Sequence, residues 1–317
     1  MFRKLFFGKN DSSKDAFDLS LGYSRLQEFK DYLINRNFEI FEDTYESLNW
    51  DEKTLLNDGI GLNENLSEEV FNWVNQRPDS YVANLFAACM QTRLAWIART
   101  AGLGINVSEK RAIKFAEYLE SAFDFLKKAD EINDADAEVC ARMVRVCMGL
   151  GLENDVTESY FNAAVEIEPN HLMVHLFMIN YLSPKWYGSI EEMHSFADNC
   201  MQKSNCTLLI VLKLFAIVEE WVYYDMINEK EKKKQFFADA STKKMVYDLY
   251  DKYYSPKEGT LMEPYVFNYF AFLFYMFNEK SLAHKLIEGI AQKGIIYPWT
   301  YIGVNDNLQL QNLIRQS

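Results

Sequence analysis

Apolar positions recur along this chain at three- and four-residue steps, the spacing that gathers side chains on one face of an α-helix. Between residues 108 and 132, Ala112, Ala116, Leu119, Phe123 and Leu126 form one such stripe. Val156, Tyr160, Ala163, Ala164 and Ile167 form another over 155–167. The run from Tyr265 to Phe277 is apolar nearly all round, which predicts a buried central helix too short to span a membrane. Capping and breaking residues set the ends. Helices are predicted near 20–35, 39–48, 51–57, 67–76, 81–101, 108–132, 135–148 and 155–167. Further helices follow at 169–183, 189–201, 207–226, up to 254, 264–277 and 279–292. Gly59-Ile60-Gly61 reads as a turn, Gly102-Leu103-Gly104 and Pro256 to Gly259 as breaks, and Gly149-Leu150-Gly151 as a left-handed cap. Pro169 suits the first turn of the helix after it. Ser189-Ile190-Glu191-Glu192 spells a capping box.

Two of the helix ends nearly repeat. Ala129-Asp130-Glu131-Ile132-Asn133-Asp134 recurs 35 positions later as Ala164-Val165-Glu166-Ile167-Glu168-Pro169. A period near 35 with a helix pair in every unit predicts an all-α, tetratricopeptide-like solenoid. The expected organisation is an acidic, aromatic-rich N-terminal helical region at 1–78, a helical-repeat domain at 79–296 and a capping tail at 297–317. Such stacks usually hold a partner in a concave groove.

Composition narrows the class. In 317 residues there are 13 Gly and 6 Pro, too few for an all-β chain, and 23 Phe, 19 Tyr and 6 Trp, too many for a disordered one. The 46 acidic and 33 basic residues leave a net charge of −13. That argues against nucleic acid or an anionic membrane as partner and for a basic protein. Cys89, Cys140, Cys147, Cys200 and Cys206 are odd in number, scattered and without a CxxC pair, as expected of reduced thiols in a cytoplasmic protein. Met1 to Asn10 carries basic residues and three Phe but no apolar core of signal-peptide length, so docking on the body of the protein or fraying is expected of it. No stretch of 18 uncharged apolar residues predicts a membrane span.

Candidate chemistry is sparse. Between Glu39 and Glu69 stand ten acidic residues and one basic one, Lys53, interleaved with aromatics. The bland reading makes the aromatics inner helix faces and the acids solvated ones. The functional reading is an acidic lip with an aromatic anchor, formed by Glu42, Asp43, Glu46, Trp50, Asp51 and Glu52, that receives a basic partner. On that reading the acids are exposed, and reversing their charge leaves the fold intact. His171 and His175 are four apart, a spacing open to a metal. Their flanks Leu172, Met173, Val174 and Leu176 look like core, so neither a metal nor a cofactor is expected. GxxxxGK[ST], GxGxxG and GxSxG are missing, and with them the usual signatures of phosphate binding and of a nucleophile elbow.

The stretch Leu182-Ser183-Pro184-Lys185-Trp186-Tyr187-Gly188-Ser189, with Glu191-Glu192-Met193, Phe196-Ala197 and the upstream Trp96-Ile97-Ala98-Arg99, resembles an uncharacterised bacterial family of tetratricopeptide-like proteins. Members tend to carry a Pro-Lys-Trp-Gly-Gly-Ser turn between two helices; here Tyr187 replaces the first glycine. The resemblance covers about 79–294 and implies the repeat fold without any activity. In such a turn Pro184 stops one helix, Trp186 packs as a large buried side chain, and Gly188 leads into the Ser189 cap. The leading expectation is therefore a non-catalytic bacterial binding protein, most specifically an immunity protein sequestering a basic toxin. The alternatives are a general adaptor that takes a peptide in its groove, and a hydrolase-type enzyme with a site near His171 and His175.

Overall fold

The computed structural model describes residues 16–99, 107–253 and 260–315. Among them the regular elements are helical, apart from one isolated bridge between Ala16 and Asp306. The segment Met1–Asn10 and the two breaks expected at 102–104 and 256–259 lie outside the described residues. No helix is long and apolar enough to cross a membrane, among the described residues. The chain divides into two compact units, 22–177 and 178–315 with 16–21.

The first unit begins with α1 (Leu26–Ile34), α2 (Phe38–Glu46) and α3 (Trp50–Leu56), continues through a π-helical turn (Asn57–Gly61), and then forms α4 (Ser67–Gln76). It goes on with α5 (Tyr81–Arg99), α6 (Glu109–Ile132), α7 (Ala137–Leu150), α8 (Asn154–Ile167) and the first part of α9 (Leu172–Tyr181). Helix α5 packs on α6, α6 on α7 and α7 on α8, so neighbours in sequence are neighbours in space. Aromatic rings fill the space beneath the short N-terminal helices. Phe41 lies 4.9 Å from Phe29, 4.5 Å from Trp73 and 5.2 Å from Phe86, centroid to centroid.

Local chemistry explains the ends. Asn49 accepts from the Glu52 N–H while Glu52 accepts from the Asn49 N–H, so a capping box opens α3. Asp136 caps α7 by accepting from two amides, and Gly151 closes that helix at φ 68°, where a side chain would be strained. Three expectations are corrected. Gly59 to Gly61 is no turn: the chain runs on from α3 as a π-helix, and a side chain at Gly61 would meet Cys89 Cβ at 2.6 Å. The buried face of α6 is Phe115, Leu119, Ala122, Leu126 and Ala129, so Leu119 and Leu126 were placed rightly and Ala112 is exposed. The bulk of Phe115, 5.1 Å from Trp96, settles which of two neighbouring stripes faces inward. Pro169 precedes α9 by a turn rather than joining it, and His171 takes the position before the first helical residue.

The second unit holds α10 (Ile190–Lys203), α11 (Ile210–Met226), α12 (Lys230–Phe236), α13 (Ala240–Tyr253), α14 (Glu263–Met276), α15 (Lys280–Ile290) and α16 (Asn307–Arg315). Helix α14 is the buried centre expected, packed against α11, α13 and α15. Its buried Asn268 donates to the carbonyls of Pro264 and Lys293 and accepts from Ile295 N–H and the Trp299 indole N–H, so the chain beyond α15 is fastened to it. At the corner before α10, a Cβ at Gly188 would lie 2.2 Å from the Leu182 carbonyl oxygen, so only glycine fits. Trp186 is half-buried there, a correction to the buried role expected of it. Lys185 instead reaches inward, its Nζ 2.7 Å from Glu219, which also accepts from Tyr301.

Candidate functional site

The six residues expected to form one acidic lip separate into two places within the first unit. Glu42 is not the exposed acid expected: it is buried and accepts from the Trp73 indole N–H at 2.9 Å and from Arg77 Nε at 2.9 and 3.0 Å. Its position four residues after Phe38 puts it on the edge of the apolar stripe Phe38, Phe41 and Tyr45, hence its burial. Asp43 and Glu46 are exposed, as expected. Trp50, Asp51 and Glu52 are half-buried at the start of α3. The Trp50 ring lies under Lys53 Nζ at 4.5 Å, and Glu52 is engaged by its capping box and by the Tyr23 hydroxyl at 2.9 Å.

Glu42 and Glu46 border an open cleft of about 620 Å³. Its other walls are residues the sequence pattern does not single out: Gln76, Arg77, Pro78, Asp79, Ser80, Tyr81, Val82, Ile132 and Asn133. Glu46 has no ion-pair partner among the described residues, and Asp79 has only a long contact, 3.9 Å to Lys128. Among the described residues Arg77 is the one cation lining the cleft, and its guanidinium is bound to Glu42. That bond, reinforced by the fields of Glu39 and Asp43, holds Arg77 above its ordinary pKa.

Beneath α3 lies a second polar assembly, wholly buried. Glu138 of α7 accepts from Thr54, from Asn57 Nδ2 at 2.7 Å and from Arg142 Nε and Nη2 at 3.0 and 2.9 Å. Arg142 Nη1 donates to Asp58 at 2.6 Å, and Lys53 Nζ to Asp136 at 3.0 Å. His171 Nδ1 accepts from Val174 N–H at 3.3 Å, which leaves Nε2 as the ring N–H, 3.0 Å from Glu138 Oε1. Burial alone would raise the Glu138 carboxyl, but Arg142, His171 and Thr54 together pull it well below the usual range. At Asp58 the balance reverses: burial outweighs Arg142 and raises the carboxyl. His175 Nδ1–H donates to the His171 carbonyl at 2.9 Å, and burial drives its pKa down to about 4. The two histidines therefore face different partners. Among the described residues no group of three His, Cys, Asp or Glu is placed to hold a metal.

The two units differ in charge. Residues 22–177 carry 27 acidic and 14 basic side chains, a net −13, whereas 178–317 carry 16 and 15. The acidity of the whole chain belongs to the unit that holds the cleft.

No curated protein and no solved structure matches this chain. Residues 22–154, from before α1 to the first residue of α8, match the family model described as a domain of unknown function (DUF4034), so the cleft and most of the buried assembly lie in a segment similar to an uncharacterised family.

Proposed function

We propose that this chain is a non-catalytic, cytoplasmic bacterial binding protein whose helix pairs form a tetratricopeptide-like solenoid, and that it is an immunity protein sequestering a basic toxin. The observation that carries the reading is the concentration of all net negative charge in residues 22–177, around a cleft rimmed by Glu46 and Asp79. A surface of one sign steers an oppositely charged protein into encounter. Sequential packing of α5 through α8 supports the repeat reading. Against a hydrolase, His171 is held between a helix cap and Glu138, and His175 is buried with its Nδ1 on a backbone carbonyl.

The test is co-expression with the product of a neighbouring toxin-like gene in the source bacterium. Growth arrest by that product should be relieved, and the purified complex should associate more slowly as salt rises. Screening shortens from about 10 Å at 0.1 M to about 3 Å at 1 M. An acidic partner, or an association rate indifferent to salt, overturns the reading.

A further inference from the structure

Three helices end at the cleft. Glu42 and Glu46 belong to the last two turns of α2, Gln76 and Arg77 close α4, and Ile132 and Asn133 close α6. A helix C-terminus presents carbonyls without intrahelical donors and a partial charge of about −0.5. Helices commonly answer that charge with a Lys or Arg in the last turn, yet the last turns of α2 and α6 contain none, and the Arg77 C-cap of α4 is bound to Glu42. Only α5 points its N-terminus at the same space, and Ser80 already caps it through the Ala83 N–H. Two carboxylates, Glu46 and Asp79 (the latter 3.9 Å from Lys128), add to this field, and among the described residues the single lining cation, Arg77, is bound to Glu42. The lining also includes apolar surface: Pro78, Val82, the Tyr81 ring and Ile132, which stays 42% exposed. Apolar surface beside converging negative ends suits a side chain with an aliphatic stem and a cationic head.

We propose that this cleft is the docking site for an arginine or lysine side chain presented by a basic protein, the stem lying on Tyr81 and Ile132 and the head meeting Glu46, Asp79 and the carbonyl ends of α2 and α6. The proposal rests on the partner-binding reading above and names the part of the surface that does the binding. Arg77 on Glu42 shows the geometry from within the chain: a guanidinium held by two carboxylate oxygens, with Trp73 fixing the carboxylate from behind.

The experiment titrates the full chain with N-acetyl-arginine methylamide, N-acetyl-lysine methylamide and the uncharged N-acetyl-norleucine methylamide, followed by amide NMR. The two cationic compounds should shift Gln76, Ser80 and Asn133, and the norleucine compound should not. Glu46→Gln and Asp79→Asn should each weaken binding roughly threefold, the scale of exposed ion pairs, while the melting temperature holds. Equal binding of all three compounds, or unchanged affinity in both variants, overturns the cleft assignment. The parent reading fails separately. A basic protein that binds the double variant as tightly as the native chain removes the cleft and keeps sequestration. Cationic amides that bind while the co-expressed toxin does not leave the cleft standing and remove sequestration.

Discussion

Glu138→Gln tests whether the buried assembly fastens α3 to α7. The side chain is 0% exposed, receives donors from Thr54, Asn57 and Arg142, and lies 3.0 Å from His171 Nε2. The amide keeps the shape but removes the charge and turns one oxygen into a donor. At the Oε2 position that donor would face Asn57 Nδ2 and two nitrogens of Arg142, all donors themselves. The amide nitrogen must therefore take the Oε1 position. There the Thr54 hydroxyl can turn to accept, but the His171 N–H cannot, because its Nδ1 is held by Val174. Arg142 is left with Asp58 as its one buried anion. Removing one member of a buried pair costs about 3–5 kcal/mol, because the remaining charge stays desolvated. Native-state hydrogen exchange of the α3 and α7 amides reads the opening free energy of that region directly. A loss below about 1 kcal/mol in Glu138→Gln refutes the reasoning.

Three further outcomes follow from the same geometry. Glu42→Lys should destabilise the first unit by about 3 kcal/mol or more, since it buries a cation beside Arg77, whereas Glu46→Lys should leave stability within about 0.5 kcal/mol; urea unfolding of both variants decides this. His175 titrates at about 4 folded, down from 6.5, so the folded state binds fewer protons and its contribution is complete above pH 6.5 and lost as pH falls towards 4. The loss amounts to about 3 kcal/mol, and His175→Leu should flatten the stability profile across that window; an unchanged slope refutes the assignment. Gly188→Ala should lower the melting temperature by several degrees, because its Cβ would lie 2.2 Å from the Leu182 carbonyl oxygen, and an unshifted melt shows that the corner can open.

Helix positions were legible where the chain carries its own punctuation. Asn49 with Glu52, Asp136, Gly151 and Ser189 each satisfy orphan backbone groups locally, so α3, α7 and α10 begin or end within a few residues of where the pattern puts them. What depends on distant chain was not legible. The glycines at 59 and 61 signal a turn by themselves; only the approach of Cys89 shows that Gly61 is there to let α5 come close. Arg142 and Asp58 are separated by 84 positions, and no local rule pairs them. One cue was present and passed over. In Val139-Cys140-Ala141-Arg142-Met143-Val144, an arginine sits inside an otherwise apolar run with Glu138 one turn before it, and charges so placed are buried with partners rather than solvated.

Burial separates the acids that hold the fold from those left on the surface. Glu42, Asp58, Asp136 and Glu138 are buried and share three cations: Arg77 on Glu42, Lys53 on Asp136, and Arg142 between Asp58 and Glu138. Together they account for little of the net charge. The excess of acid over base in residues 22–177 is thus carried largely by side chains outside these pairs, Asp43, Glu46 and Asp79 among them. Exposed like charges repel one another across a surface and weaken the folded state slightly, a cost that a counter-charged partner would lift on binding. Part of the binding energy of a basic partner would then come from relief of this repulsion. If so, the isolated first-unit surface should gain stability from added salt before any partner is present, through screening alone. Hydrogen exchange in α2 and α4 that does not slow between 0.05 and 0.5 M sodium chloride, doses chosen to take the Debye length from roughly 14 to 4 Å, would show that the acidity is already neutralised within the fold.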